Sequence, residues 1–209
     1  GSDFAEQTRI AAEIGGGVRI TNEASDYELN FSLTRWVTSG AQQYGAYYSF
    51  EPAGPVNAAG VVVRVYNAAA SGARGLHYYW PNIADSDAAT ENFIRNVSVF
   101  QHPHKPVTEI AVFYPSTYIK LHGQNFLEPL RPLRDRFDFN YASEKQIRDG
   151  ALKNVKALIV MQTDVMERET AQVISNWLKD GGLLIRTGKK LHMVEGDDLA
   201  FDDVGHGAI

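Results

Sequence analysis

Residues Tyr44 to Trp80, YGAYYSFEPAGPVNAAGVVVRVYNAAASGARGLHYYW, restrict the fold of this chain more than any other stretch. The aromatic run Tyr44–Phe50 suits a buried strand. Glu51 follows, then Pro52, Ala53, Gly54 and Pro55, and so many ring-locked and glycine positions cannot continue a strand. Ala58–Ser71 has helical periodicity, with Val61, Val62, Val65, Tyr66 and Ala69 on one face. Gly72 stops that helix, and Leu76–Trp80 reads as the next strand. A strand, a crossover helix and a second strand imply a parallel pair joined right-handedly. In parallel α/β folds the chemistry sits beyond the carboxyl ends of the strands, and Glu51 occupies such an end.

The preceding chain has the same grammar. Phe4–Ile14 predicts an amphipathic helix with Ile10, Ala11 and Ile14 on one side, Val18–Thr21 a strand running out into Asn22 and Glu23, and Tyr27–Gly40 a second helix. Ala88–Gln101 predicts a helix burying Phe93, Ile94, Val97 and Phe100. His102-Pro103-His104-Lys105-Pro106 blocks any helix and marks the linker. The expected domains are therefore 1–104 and 105–209. The second domain repeats the alternation: strands at Glu109–Tyr114, Phe137–Tyr141, Ala157–Met161 and Leu183–Ile185, with helices at Tyr118–Leu130, Glu144–Ala151 and Glu167–Lys179. From Gly188 the pattern fades.

Composition removes several function classes. The net charge of -5 over 209 residues lacks the basic footprint of a nucleic-acid binder. No apolar run approaches the roughly 20 residues of a membrane span, and no signal peptide is visible. There are no cysteines, which excludes a disulfide framework, a thiolate zinc site and a thiol nucleophile. The compartment stays open on this ground, with the cytoplasm favoured. His102 and His104 lack a third metal ligand and read as linker residues. No P-loop or dinucleotide-binding glycine loop is present, and no cofactor is expected.

Two motif sets carry a family resemblance. SFEPAGPV followed by VVVRVYNAAASGARGLHYYW resembles the last third of a (β/α)8 barrel in the clan A glycoside hydrolases, particularly the family 42 β-galactosidases. DGALKNVKALIVMQ and ERETAQVISNWLKDGGLLI resemble the flavodoxin-like, class I glutamine amidotransferase-like domain that follows the barrel there and helps subunits trimerise. The resemblance covers roughly residues 4–187. It implies an α/β fold made of the last three βα units of a barrel plus that second domain, in a chain truncated at both ends.

What the resemblance implies for the site is specific. The seventh barrel strand ends in the nucleophilic glutamate, which is Glu51 here. Retaining glycosidases hold two carboxyls about 5–5.5 Å apart. Glu23, one βα unit upstream on the neighbouring strand, is the second candidate catalytic carboxylate in the chain's own pattern, with substrate orientation or a structural role as its alternatives; the family's acid/base lies on the fourth strand, outside these residues. Asn22, Tyr47, His77, Tyr79 and Trp80 are expected to bind the carbohydrate, the aromatic rings against sugar C–H faces. The alternative for those aromatics is that they fill a barrel interior, and Arg64 reads as an ion-pair partner. Glutaminase chemistry needs a cysteine at a strand-to-helix elbow, and Gln162-Thr163-Asp164 stands there instead. The expectation is an isolated chain without activity, from a parent hydrolysing a glycosidic bond. The rival is a non-catalytic carbohydrate-binding or oligomerisation module. Unpaired strand edges predict a homo-oligomer in either case.

Overall fold

A computed structural model describes residues 3–22, 27–52, 57–76, 87–102, 104–123, 126–188 and 190–196. The chain divides into two compact units, one comprising Gly1–Val107 with Leu130–Asp135, the other Thr108–Pro129 with Arg136–Ile209. Both are α/β with parallel strands.

In the first unit, α1 (Phe4–Glu13) starts at Asp3, whose carboxylate accepts the Glu6 N–H at 3.1 Å. It buries Ala5, Thr8 and Ala11, whereas Ile10 and Ile14, expected inside, are 47% and 80% exposed. The small face is required by α2 (Tyr27–Tyr44). A Cβ on Gly40 would run into the Thr8 hydroxyl and lie 3.5 Å from the Ala5 Cα, so the helices cross at backbone distance. Gly40 therefore sits inside α2 rather than ending it. The helix ends at Gly45, with φ +79 and its N–H donated to Ala41 O at 2.9 Å.

Strand β2 is consequently Tyr47–Pro52, three residues later at its start than the aromatic run suggests. It lies between β1 (Gly17–Asn22) and β3 (Gly75–Leu76), parallel to both. The helix α3 (Ala58–Ala70) makes the crossover; Asn57 caps it by accepting the Gly60 N–H at 2.8 Å. Alternation sorts the sheet's faces. Ile20, Tyr48 and Phe50 pack with Val37, Ala41 and Ala68 in the layer beneath α2 and α3. On the other face Tyr47 lies across Gly17, where a Cβ would fall 2.7 Å from its own Cβ, and its hydroxyl reaches the place a Gly75 Cβ would take.

Two helix faces differ from expectation. In α3 the buried positions include Val61, Arg64, Val65, Asn67 and Ala68, while Tyr66 is 39% exposed. In α4 (Asp87–Phe100) only Ala89 is fully buried; Ile94 is 64% exposed, and Phe93 stacks on Phe100 at 5.5 Å along an open apolar groove between α3 and α4. The 3-10 segment Glu128–Asp135 brings Leu130 into the first unit's core and Arg134 over the Phe31 ring at 4.6 Å.

The second unit holds a four-stranded parallel sheet of β4 (Ile110–Tyr114), β5 (Asn140–Ser143), β6 (Ala157–Val160) and β8 (Leu183–Arg186), in the order β5-β4-β6-β8. Helices α5 (Ser116–His122), α6 (Glu144–Arg148) and α7 (Arg168–Lys179) belong to it. The helix expected over Tyr118–Leu130 ends early, because Gly123 turns at φ +65 and Pro129 and Pro132 hold the later residues in 3-10 geometry. The core packs Phe113, Leu158, Val160, Ile174, Leu178 and Leu184. In the stretch where periodicity fades, β9 (His192–Met193) pairs in parallel with β7 (Val165–Met166), and Leu191 is fully buried.

Candidate functional site

The carboxyl end of β2 is fixed by its neighbours. Thr21 pairs with Glu51, and Asn22 with Pro52, so Asn22 and Glu51 stand on adjacent strands one register step apart. Adjacent strands run about 4.8 Å apart. Phe50, wholly buried one residue earlier, locks the strand's register against the helices. Glu51 is thus the penultimate residue of β2, which runs one residue further than the sequence suggests, through Pro52.

The other expected site residues divide. Tyr47 begins β2, four residues before Glu51, hence about 13 Å away along an extended strand. Its ring covers two glycines at the amino ends of the sheet, so the structure does not bring it to the end that carries Glu51. Glu23, His77, Tyr79 and Trp80 lie outside the described residues.

Behind β2 the packed layer is unexpectedly polar. Arg35 and Arg64 are 2% and 0% exposed, and Asn67 donates to Asn30 Oδ1 at 2.7 Å between α3 and α2. Arg35 also lies 5.2 Å from the Phe31 ring centroid. Helical periodicity gave no signal for these, because an arginine at a core position reads as a surface residue until its environment is seen. Burial drives the Tyr48 phenol pKa strongly upward, and the neighbouring Thr34 hydroxyl offsets part of that shift.

In the second unit a small cavity of about 180 Å3 opens at the carboxyl ends of β6 and β8, lined by Tyr118, Gln162, Thr163, Asp164, Thr187 and Gly188. Gln162 has φ +57, the one non-glycine residue in the left-handed region among those described. Nearby, the buried Glu144 carboxylate accepts the backbone N–H of Thr117 at 2.8 Å and of Glu167 at 2.9 Å. It thereby joins the first turns of α5 and α6 to the residue that precedes α7. Its burial raises its pKa above the usual carboxylate value, against the Thr117 hydrogen bonds and the charges of Arg148 and Lys120. No cysteine is available as a nucleophile.

Among the described residues no three His, Asp or Glu side chains are grouped to hold a metal ion. His104 Nε2 donates to Val99 O at 2.7 Å, which occupies it locally. No helix among those residues is long and apolar enough to cross a membrane.

This architecture, a short parallel sheet of consecutive strands followed by a second parallel α/β unit, defines a mixed α/β protein. Its fold is shared with part of Gan42B, a GH42 β-galactosidase from G. stearothermophilus, at a TM-score of 0.56 and 14% identity over 79% of this chain. A catalytic mutant of the same enzyme matches equally, at 0.56 and 13%. The chain spans 30% of the length of these structures. No protein-family profile and no curated protein matches it.

Proposed function

We propose that these residues are the C-terminal part of a retaining glycoside hydrolase of the GH42 type, with Glu51 as its nucleophile. One observation carries this reading: Glu51 stands at the carboxyl end of the middle strand of three consecutive parallel strands, next to its last residue Pro52, in a chain whose fold overlaps a GH42 β-galactosidase. In this reading the first unit is the last three βα units of a barrel. Tyr47 with Gly17 and Gly75 fills its lower interior, as alternating large and small side chains do in barrels.

The chemistry then runs in two steps. The Glu51 carboxylate attacks the anomeric carbon as the glycosidic C–O bond breaks, and an acid outside these 209 residues protonates the departing oxygen. Water, deprotonated by that same group, later displaces the ester and restores Glu51. In this reading Asn22 and Glu23 orient the sugar hydroxyls, and His77, Tyr79 and Trp80 contribute a wall for the sugar ring. The second unit, whose strand order 2-1-3-4 is that of the flavodoxin-like class, is a non-catalytic, amidotransferase-like assembly domain. Its elbow position carries Gln162 rather than a cysteine.

The test uses the full reading frame in which these residues occur. Nitrophenyl β-galactoside is turned over by the parent, and Glu51→Gln lowers kcat by at least about a thousandfold. A 2-deoxy-2-fluorogalactosyl trap adds its mass to the peptide bearing Glu51. Full activity in Glu51→Gln, or a label on another peptide, overturns the assignment. The 209-residue chain alone is expected to show no turnover.

A further inference from the structure

Basic side chains gather at the opposite end of the first sheet from Glu51. A cavity of about 280 Å3 opens there, where α2 ends, α3 turns into β3, and the chain leaves α4. Arg74, His104 and Lys105 line it, and among the described residues no acidic one does. In a chain with 25 Asp and Glu against 20 Lys and Arg, an arginine, a lysine and a histidine together without an acid run against composition. Among the described residues neither Arg74 nor Lys105 has an acidic partner.

The cavity's frame is built by specific contacts. Arg74 N donates to Tyr48 O at 2.9 Å, which fixes the arginine's backbone to the edge of β2. Gln42 Nε2 donates to Ser71 O at 2.8 Å, joining the ends of α2 and α3. Gly72, at φ +87, approaches the His104 carbonyl so closely that a Cβ would lie 2.8 Å from it. Only a glycine there lets the segment carrying His104 and Lys105 close on the α3 turn. His104 uses Nε2 on Val99 O, leaving Nδ1 for another partner.

We propose that this cavity binds a phosphate group, carried free or on a small organic molecule. A guanidinium fork matches two phosphate oxygens, and an ammonium adds a mobile point charge. Thr38, Ala41, Gly45, Ala46 and Tyr48 complete the lining, so an organic body would meet apolar as well as polar surface there. The site is independent of the glycosidase reading, since it uses none of the residues at the sheet's other end.

Isothermal titration of the 209-residue chain with inorganic phosphate, and separately with glycerol 3-phosphate, tests this at about 0.15 M salt, where diffuse surface attraction is screened beyond about 8 Å. Saturable binding of one equivalent is expected for at least one of the two. Arg74→Ala and Lys105→Ala should each weaken it about tenfold or more, Arg74→Lys should weaken it less than Arg74→Ala, and Glu51→Gln should leave it unchanged. Circular dichroism checks that each variant stays folded. Tighter binding of glycerol 3-phosphate assigns the apolar wall to an organic body, and equal binding assigns the site to the anion alone. No saturable heat with either probe, or equal binding by the parent and both alanine variants, overturns the proposal.

Discussion

Two residues show how a single side chain, or its absence, fixes the packing of each unit. Glu144 is almost wholly buried, yet both its oxygens accept backbone N–H groups. Burial wins over those bonds and holds its pKa above the unfolded value. The folded state then binds the proton more tightly than the unfolded chain. This group's contribution to stability is therefore fully present below the unfolded pKa and is lost as pH rises through the folded pKa. In Glu144→Gln an amide N–H faces one of the two backbone donors, and a buried donor without an acceptor costs about 1–3 kcal/mol. Urea denaturation should find the variant less stable at pH 4, with the gap narrowing by pH 7. A gap that widens with pH contradicts the raised pKa. Gly40 acts by what it lacks. Gly40→Val pushes a branched side chain into Thr8, and overpacking of this kind costs about 1–3 kcal/mol. Thermal unfolding should show the loss, and Gly40→Ala should lose less; a Gly40→Ala variant more stable than the parent would mean that helix propensity outweighs the crossing distance.

At the scale of elements, the strand-helix alternation was readable because buried parallel strands are continuous apolar runs and turns are punctuated by glycine and proline. ALIV and IAVFY declare themselves in this way. What could not be read was which helix residue faces which neighbour. Thr8 and Arg64 are buried for tertiary reasons: one beneath a glycine of α2, the other within the polar layer between α2 and α3. The start of β2 was obscured because Tyr44 suits a helix end as well as a strand, and Gly45 decides between them by its positive φ. The short pair β7 and β9 has two residues per strand, too few for periodicity to register. Of the site, the position of Glu51 at a strand end was legible from the prolines behind it. The displacement of Tyr47 to the other end was not, because one aromatic run spans both ends of the strand.

For the whole molecule, association is the property that the first unit's exposed apolar surface bears on. The first sheet has the order β1-β2-β3, and among the described residues neither outer edge pairs with another strand. Apolar side chains are also exposed on the helices that flank this sheet in sequence: Ile10 on α1 and Ile14 just after it, ahead of β1, and Phe93 and Ile94 on α4, after β3. A sheet of a closed barrel, opened at two places, would expose its surface at both ends in this way, since closure is what removes strand edges. Surface of that kind drives association. Light scattering at micromolar concentration should find the 209-residue chain as an oligomer, and replacing Ile14 and Ile94 together with lysine should shift it toward the monomer. Under the proposed barrel reading, a longer form with further βα units pairing those edges should instead lose thermal stability on the same two substitutions, because they would place charge against a packed neighbour. A monomeric chain of 209 residues, or a long form indifferent to both lysines, would mean that these edges are not where a barrel was divided.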